Sequence, residues 1–149
     1  MGWDIVSNNP RAGIWVASQI DGACYVPGTV SLGLLHNNKF VAGVNYEQFN
    51  GRSIVALIAV KGRMTPAFLA AIFDYPFCVC GVHKIICTID SNNARSIRLC
   101  RKMGFSQEGN IKAAATSGGD LLIYTLEKSN CRFLKERYGK KSTRAPAYT

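Results

Sequence analysis

The 149-residue chain lacks any apolar run approaching the ~20 residues needed to span a bilayer. Its start, Met1 to Pro10, carries Trp3, Asp4 and two asparagines where a signal peptide would have a basic and then an apolar stretch. A soluble, cytoplasmic protein with no membrane partner is the expectation. The chain also lacks paired Cys-x-x-Cys spacings: Cys78-Val79-Cys80 with His83 is the only local cluster and has no matching second half, so no metal is expected. Nor does it lack the means to build a core, because 48% of its residues are hydrophobic. The six cysteines fall mostly inside apolar stretches, which points to buried, reduced thiols instead of a secreted disulfide framework. No internal repeat is visible.

Acids are scarce. Nine Asp and Glu face 18 Lys and Arg, a formal net charge of +9. Seven of the cations and one acid lie from Lys128 onward, so that segment alone contributes +6 and the rest of the chain +3. The division expected is a single domain over 1–138 and a basic, flexible tail over 139–149, which has nothing to bury. Such a tail suits either solvent or an acidic partner, nucleic acid included.

Period-two and period-3.6 patterns order the remainder. Trp3 to Val6 reads as a short strand and Arg11 to Ile20 as a short helix between Pro10 and Asp21-Gly22. Val30 to His36, Phe40 to Phe49 and Arg52 to Val60 form an antiparallel meander with turns at Asn37-Asn38-Lys39 and Asn50-Gly51. The latter dipeptide predicts a two-residue type I′ turn, which needs positive φ at both central residues. Thr65-Pro66 opens a buried helix over Ala67 to Phe73, His83 to Asp90 is a central strand, and the strand-helix-strand order implies parallel pairing by a right-handed crossover. Asn92-Asn93 caps a helix over Ala94 to Met103, which Gly104 ends; its other face carries Arg95, Arg98, Arg101 and Lys102. Phe105 to Ala115 and Leu121 to Glu127 are a closing strand pair, and Asn130 to Tyr138 adds a short helix.

Asn93 to Gly109, with Asn-x-x-Ser, Lys102-Met103-Gly104-Phe105 and Glu108-Gly109, resembles the GNAT superfamily of N-acetyltransferases. The Asn-x-x-Ser opening and Asp120 to Leu126 look like the branch that acetylates ribosomal-protein N-termini, and small bacteriophage GNAT proteins share the compact layout. The resemblance covers about residues 54 to 127. It implies an α/β GNAT acyl-CoA acyltransferase fold: a mixed, twisted sheet with an antiparallel meander and splayed parallel central strands flanked by helices, and acetyl-CoA in the splay. The implied reaction is acetyl transfer to a primary amine, on a protein N-terminus, a lysine or a small amine. A monomer and a homodimer are both compatible with it.

On the same resemblance the cosubstrate lies along Ile58, Ala59 and Val60, with its phosphates at Lys61, Gly62, Arg63, Met64 and Thr65 and further contacts from Asn93, Ser96 and Cys100. The loop departs from the family's glycine-rich pattern, and Pro66 removes an amide donor. Lys61 and Arg63 supply charge in its place. Cys100 stands where many relatives carry a tyrosine that protonates the leaving thiolate; the Ser96 hydroxyl takes that role here. For the base the candidates are Glu47, Asp120, His36 and Tyr46, and Glu47 joins Ser96 as the catalytic assignment. By ordinary chemistry Asn93 is a helix cap, Glu47 a solvated strand residue, Asp120 a turn acid and Cys100 core. A GNAT scaffold without catalysis, engaging a host protein or nucleic acid through its basic C-terminal region, is the alternative.

Overall fold

The computed structural model describes residues 2–134. The tail expected over 139–149 and the last four residues of the short helix expected over 130–138 lie outside them; the described part of that helix is a pair of 3-10 turns at Lys128–Asn130 and Arg132–Leu134. One sheet holds β1 (Trp3–Ser7), β2 (Val30–His36), β3 (Lys39–Glu47), β4 (Ser53–Val60), β5 (Lys84–Asp90), β6 (Ser106–Ile111) and β7 (Leu121–Glu127), in the order β1-β2-β3-β4-β5-β7-β6. Every neighbouring pair is antiparallel except β4 and β5. Helix α1 (Pro10–Ser18) packs on one face; α2 (Pro66–Asp74) and α3 (Ala94–Lys102) contribute to the larger core on the other. This is the mixed, helix-flanked sheet anticipated from the sequence. No described helix is long and apolar enough to cross a membrane.

Strand alternation sorts the side chains. Leu32, Leu34, Ala42, Val44 and Tyr46 enter the core under α2, whereas Gly13 of α1 faces a buried polar pair. There Ser31 Oγ donates to Asn45 Oδ1 at 2.8 Å and Asn45 Nδ2 donates to the Gly13 carbonyl at 3.1 Å. A Cβ on Gly13 would lie 2.4 Å from the Tyr25 ring. The missing side chain therefore lets the loop 19–29 settle against α1.

Two turns correct the sequence reading. The two-residue turn with positive φ at both centres is Asn37-Asn38 (53° and 68°), between paired His36 and Lys39. The β3–β4 hairpin forms, but not through a type I′ turn at Asn50-Gly51: positive φ falls on Gln48 and Gly51, and the connection runs over 48–52. Asn50 Oδ1 is occupied instead by the amides of Arg52 and Ser53, each at 2.8 Å, an Asx-type arrangement that holds a wider loop.

Pro76 has a second, longer-range effect. It has no N–H to offer the Ile72 carbonyl four residues back, and the chain passes from α2 into a π-type turn over Tyr75–Val79, closed by Cys80 N on Tyr75 O at 2.9 Å. The Ile72 carbonyl instead accepts the Tyr46 hydroxyl at 2.6 Å. A substitution on α2's end is thereby tied to β3. The first strand of the closing pair, β6, is also shorter than the expected Phe105 to Ala115, because Ala113 adopts φ 54° and donates its amide to Asp120 Oδ1 at 3.0 Å.

Candidate active site

β4 and β5 pair at only three positions, Ser53↔Lys84, Ile54↔Ile85 and Val55↔Ile86. Beyond Val55, β4 stays bonded to β3 as far as Val60, and β5 stays bonded to β7 as far as Asp90. The strands splay, and the edges facing each other have backbone groups with no strand between them. A cleft of about 1550 Å³ occupies the splay, larger than the ~300–1,000 Å³ of ordinary small-molecule sites and suited to a long molecule meeting a second one.

Its two walls differ in make-up. On the β5 side Asp90 accepts from the Asn92 amide at 2.9 Å and from Ser117 Oγ at 2.8 Å; the first and then the second of these bonds hold its carboxyl below the ordinary range. Ser91 Oγ accepts the Asp120 amide at 2.9 Å, and Asn93 Oδ1 caps α3 on the Ser96 amide at 3.1 Å. This network delivers Asn93, Arg95 and Ser96 to the cleft. On the β4 side the residues are Ala56 to Val60, followed by a loop whose donors are partly spent: the amides of Lys61 and Gly62 both reach the Val41 carbonyl, at 2.7 and 3.1 Å. Thr65 Oγ1 is committed to the Phe68 amide at 3.1 Å, and Pro66 has none. The loop's remaining backbone donors are Arg63, Met64 and Thr65.

Of the residues singled out from sequence, Glu47, Ile58, Ala59, Val60, Asn93 and Ser96 line one cleft, although they come from three separate segments. Lys61, Gly62 and Arg63 are exposed just beyond it, with Met64 and Thr65 half-buried. Cys100 does not line it: it is buried 5% exposed, beside the Cys87 thiol whose pKa that neighbour pushes up. It is core, as its chemistry alone suggested. Among the base candidates, His36 stacks on Trp3 at 3.9 Å at the far edge of the sheet, and Asp120 is held by the Ala113 amide in the β6–β7 loop. Tyr46 lines the cleft with its hydroxyl on the Ile72 carbonyl. Glu47 lines it half-buried, and desolvation raises its pKa.

Several lining residues escaped sequence reasoning. Tyr75 and Cys80 line the cleft through the π-type turn, and Tyr75 is pushed well above a normal phenol by burial and then by its bond to Cys80. The loops 19–30 and 114–117 supply another wall, and they meet where a Cβ on Gly22 would stand 2.4 Å from Thr116 Oγ1. The long Gly- and Pro-containing stretch before β2 was the available signal, since loops on a rigid frame carry binding residues. Among the described residues no group of three or more His, Cys, Asp or Glu could hold a metal ion.

No family model matches the chain, and no curated protein matches its sequence. Solved structures do match its shape. A chimera of the spermidine N-acetyltransferase SpeG from Vibrio cholerae and hSSAT aligns with TM-score 0.67 at 13% identity, over 87% of this chain and 97% of the other. Mutant forms of the spermidine/spermine N-acetyltransferase SpeG from the same organism give 0.67 at 13%, over 95% and 99%. The Campylobacter jejuni N-acetyltransferase PseH, in complex with acetyl coenzyme A, gives 0.55 at 12%, over 69% and 70%. At such identities the likeness is one of architecture, and it coincides with the family that the Asn93 to Gly109 segment resembles: the chain has the GNAT N-acetyltransferase fold.

Proposed function

We propose that this protein transfers an acetyl group from acetyl-CoA to a primary amine by direct attack, without an acyl-enzyme. The observation that carries the reading is the splay of β4 from β5, with Glu47 and Ser96 lining the same cleft. The residues present fit the cosubstrate: the unpaired edges of Ala56–Val60 and Cys87–Asp90 suit an extended amide-bearing arm. Arg95, Lys61 and Arg63 supply cations for its phosphates. Bound there, acetyl-CoA supplies the activated thioester.

The chain's own groups have three tasks. An amine arrives as its ammonium ion, and the Glu47 carboxylate accepts a proton from it, freeing the nitrogen lone pair. A backbone amide of Ile58–Val60 that points away from β3 stabilises the charge that develops on the carbonyl oxygen. As the C–N bond forms and the C–S bond breaks, the leaving sulfur keeps the electron pair and takes a proton from the Ser96 hydroxyl; the nitrogen's second proton passes to solvent, which reprotonates Ser96. The net products are the amide, CoA and one proton. Glu47 works only ionised, so activity falls as pH drops through its raised pKa, at higher pH than an ordinary glutamate would give.

Calorimetric titration with acetyl-CoA and CoA tests the reading, on the native chain and on a Lys61→Ala/Arg63→Ala variant. Micromolar binding that weakens in the variant supports it and locates the phosphates; no binding to the native chain overturns it. The scaffold alternative rests on C-terminal residues that lie mostly outside those described.

A further inference from the structure

Helix α3 carries more positive charge than its own fold can use. Its exposed side holds Arg95, Arg98, Arg101 and Lys102, opposite Cys100 and the buried Met103 that follows. Spacings of three, four and seven residues put these cations on one ridge. Arg132 extends it, since its Nη2 donates to the Lys102 carbonyl at 2.6 Å. No acid occurs in the sequence between Asp90 and Glu108. None of the ridge cations belongs to an ion pair among the described residues, where Lys84 and Lys112 hold Glu108, Glu127 and Asp120. Arg101 and Lys102 complement the carboxyl end of the helix dipole. Arg95 in the first turn opposes it, and Arg98 repels the cations three and four positions on. The ridge thus presents charge that the fold does not offset.

A cosubstrate in the cleft accounts for one end of the ridge alone. Arg95 lines the cleft, whereas Arg98, Arg101, Lys102 and Arg132 do not, and at ~1.5 Å per residue Lys102 stands ~10 Å further along the helix. The rest of the ridge suits a long polyanion. The exposed large hydrophobic residues, Trp3, Ile5, Ile14, Val26, Phe49 and Ile111, all lie outside α3 and 128–134, so the ridge lacks the apolar or aromatic centre of a protein interface. It also lacks the aromatic platforms on which single strands stack. Guanidinium forks match phosphate oxygens, and surfaces that bind duplexes are polar and strongly positive. The width of a helix matches the ~12 Å major groove of B-form DNA, whereas the deep, narrow major groove of A-form RNA is closed to side chains. Beyond Leu134 the sequence keeps the same sign, with Lys135, Arg137, Lys140, Lys141 and Arg144 against Glu136 alone.

We propose that the exposed ridge of α3, extended by Arg132, is a docking surface for double-stranded DNA, which it holds through the phosphates without regard to sequence. The surface is separate from acetyl transfer and does not depend on it.

Fluorescence anisotropy of the full chain with a labelled DNA duplex of about 20 base pairs, between about 50 and 200 mM salt, tests the assignment. Arg98→Ala/Arg101→Ala should weaken binding about fiftyfold at about 0.1 M salt and make the slope of log affinity against log salt shallower by about 2, as for two lost phosphate contacts. Arg98→Ala alone should give about half that change in slope. Arg98→Lys/Arg101→Lys should recover most of the affinity. Arg11→Ala/Lys39→Ala, which removes two exposed cations from α1 and β3, should cost about twofold at most, since charges beyond a Debye length are screened. Neither Arg98 nor Arg101 lines the cleft, so the double variant should keep native CoA binding, which also reports its folding. No binding of the duplex by the native chain, equal losses from the two alanine pairs, or tighter binding of a single strand or an RNA duplex overturns the assignment. Displacement of the duplex by polyglutamate as readily as by unlabelled DNA overturns it in favour of an acidic protein partner.

Discussion

The helices α2 and α3 both follow strands that wall the cleft, and both start on a side-chain cap, yet they are held by different forces. The α2 terminus has Thr65 as cap and Pro66 behind it, and six of the nine residues of α2 are buried. In α3 only Cys100 is buried, while Arg95, Arg98, Arg101 and Lys102 are exposed. Its first turn is held by Asn93 and joined to the β6–β7 loop through Asp90, Ser91 and Ser117. One wall therefore stands on apolar burial, and the other on a hydrogen-bond network that includes the Asp90 carboxylate. No α2 residue lines the cleft, whereas Arg95, Ser96 and Leu99 of α3 do. The helix that carries the apolar core stays out of the cleft, and the helix that lines it is fixed by a polar network of Asn93, Ser91, Ser117 and the Asp90 carboxylate.

The sharpest way to break the comparison is through α2's packing. Phe68 is fully buried, and Phe68→Ala should cost ~3–5 kcal/mol, read from the denaturant midpoint at unchanged slope. Ile97→Ala on α3, at a half-buried position, should cost less than half as much. Equal losses would mean that α3 is held by packing after all.

Caps come next. Asn93→Ala should cost ~1 kcal/mol and Asn93→Gly only a few tenths. Thr65→Ala should cost a similar ~1 kcal/mol, but the two should part in ligand binding. Asn93→Ala loosens the turn that delivers Arg95 and Ser96 and should weaken CoA binding in calorimetry. Thr65→Ala, with its hydroxyl on the Phe68 amide, should change CoA binding less.

These contrasts also explain what could be read from the chain beforehand. The meander and both helix caps were legible because Thr65-Pro66, Asn93 and Gly104 act on their immediate neighbours, and alternation in β2 to β4 sorts faces locally; the place of β7 between β5 and β6 was not. The exchange of turn types was not legible. Asn37-Asn38 and Asn50-Gly51 both tolerate positive φ, and the choice fell to whether the Asn50 side chain could satisfy the Arg52 and Ser53 amides. Pro76 is incompatible with a continuing α-helix, but the Tyr46 bond to Ile72 that accompanies its π-type turn needs an element 26 residues away. In the site, Ser96 comes from the resemblance and Glu47 is one of four base candidates, and both line the cleft. Tyr75 and Arg95 enter through tertiary placement alone.

Acid separates the two walls by a smaller margin. Asp90 has a folded pKa below its ordinary 3.8, chiefly through the Asn92 amide and then Ser117 Oγ. The unfolded chain thus binds the proton first, so the stabilisation is complete above the ordinary aspartate range and is lost as pH falls through it. Asp120, lowered by the Ala113 amide, acts in the same direction. Unfolding midpoints measured downward from neutral pH should fall for the native chain, and Asp90→Asn should flatten that slope while lowering the midpoint at neutral pH. A slope unchanged by Asp90→Asn would show that the α3 wall does not depend on this carboxylate.

The smallest expected effect isolates charge from structure. Arg95 and Arg98 are both exposed, three residues apart on α3, but only Arg95 lines the cleft. Each replaced by Ala should shift stability by no more than ~0.5 kcal/mol, since neither forms an ion pair among the described residues. In CoA titrations the variants should diverge. Arg95→Ala should weaken binding and reduce its salt dependence, because a cation beside the phosphates contributes most at low ionic strength. Arg98→Ala should track the native curve. If both weaken binding alike, the attraction is a diffuse field over the whole basic face of α3, and its cleft-lining end has no special part in holding the cosubstrate.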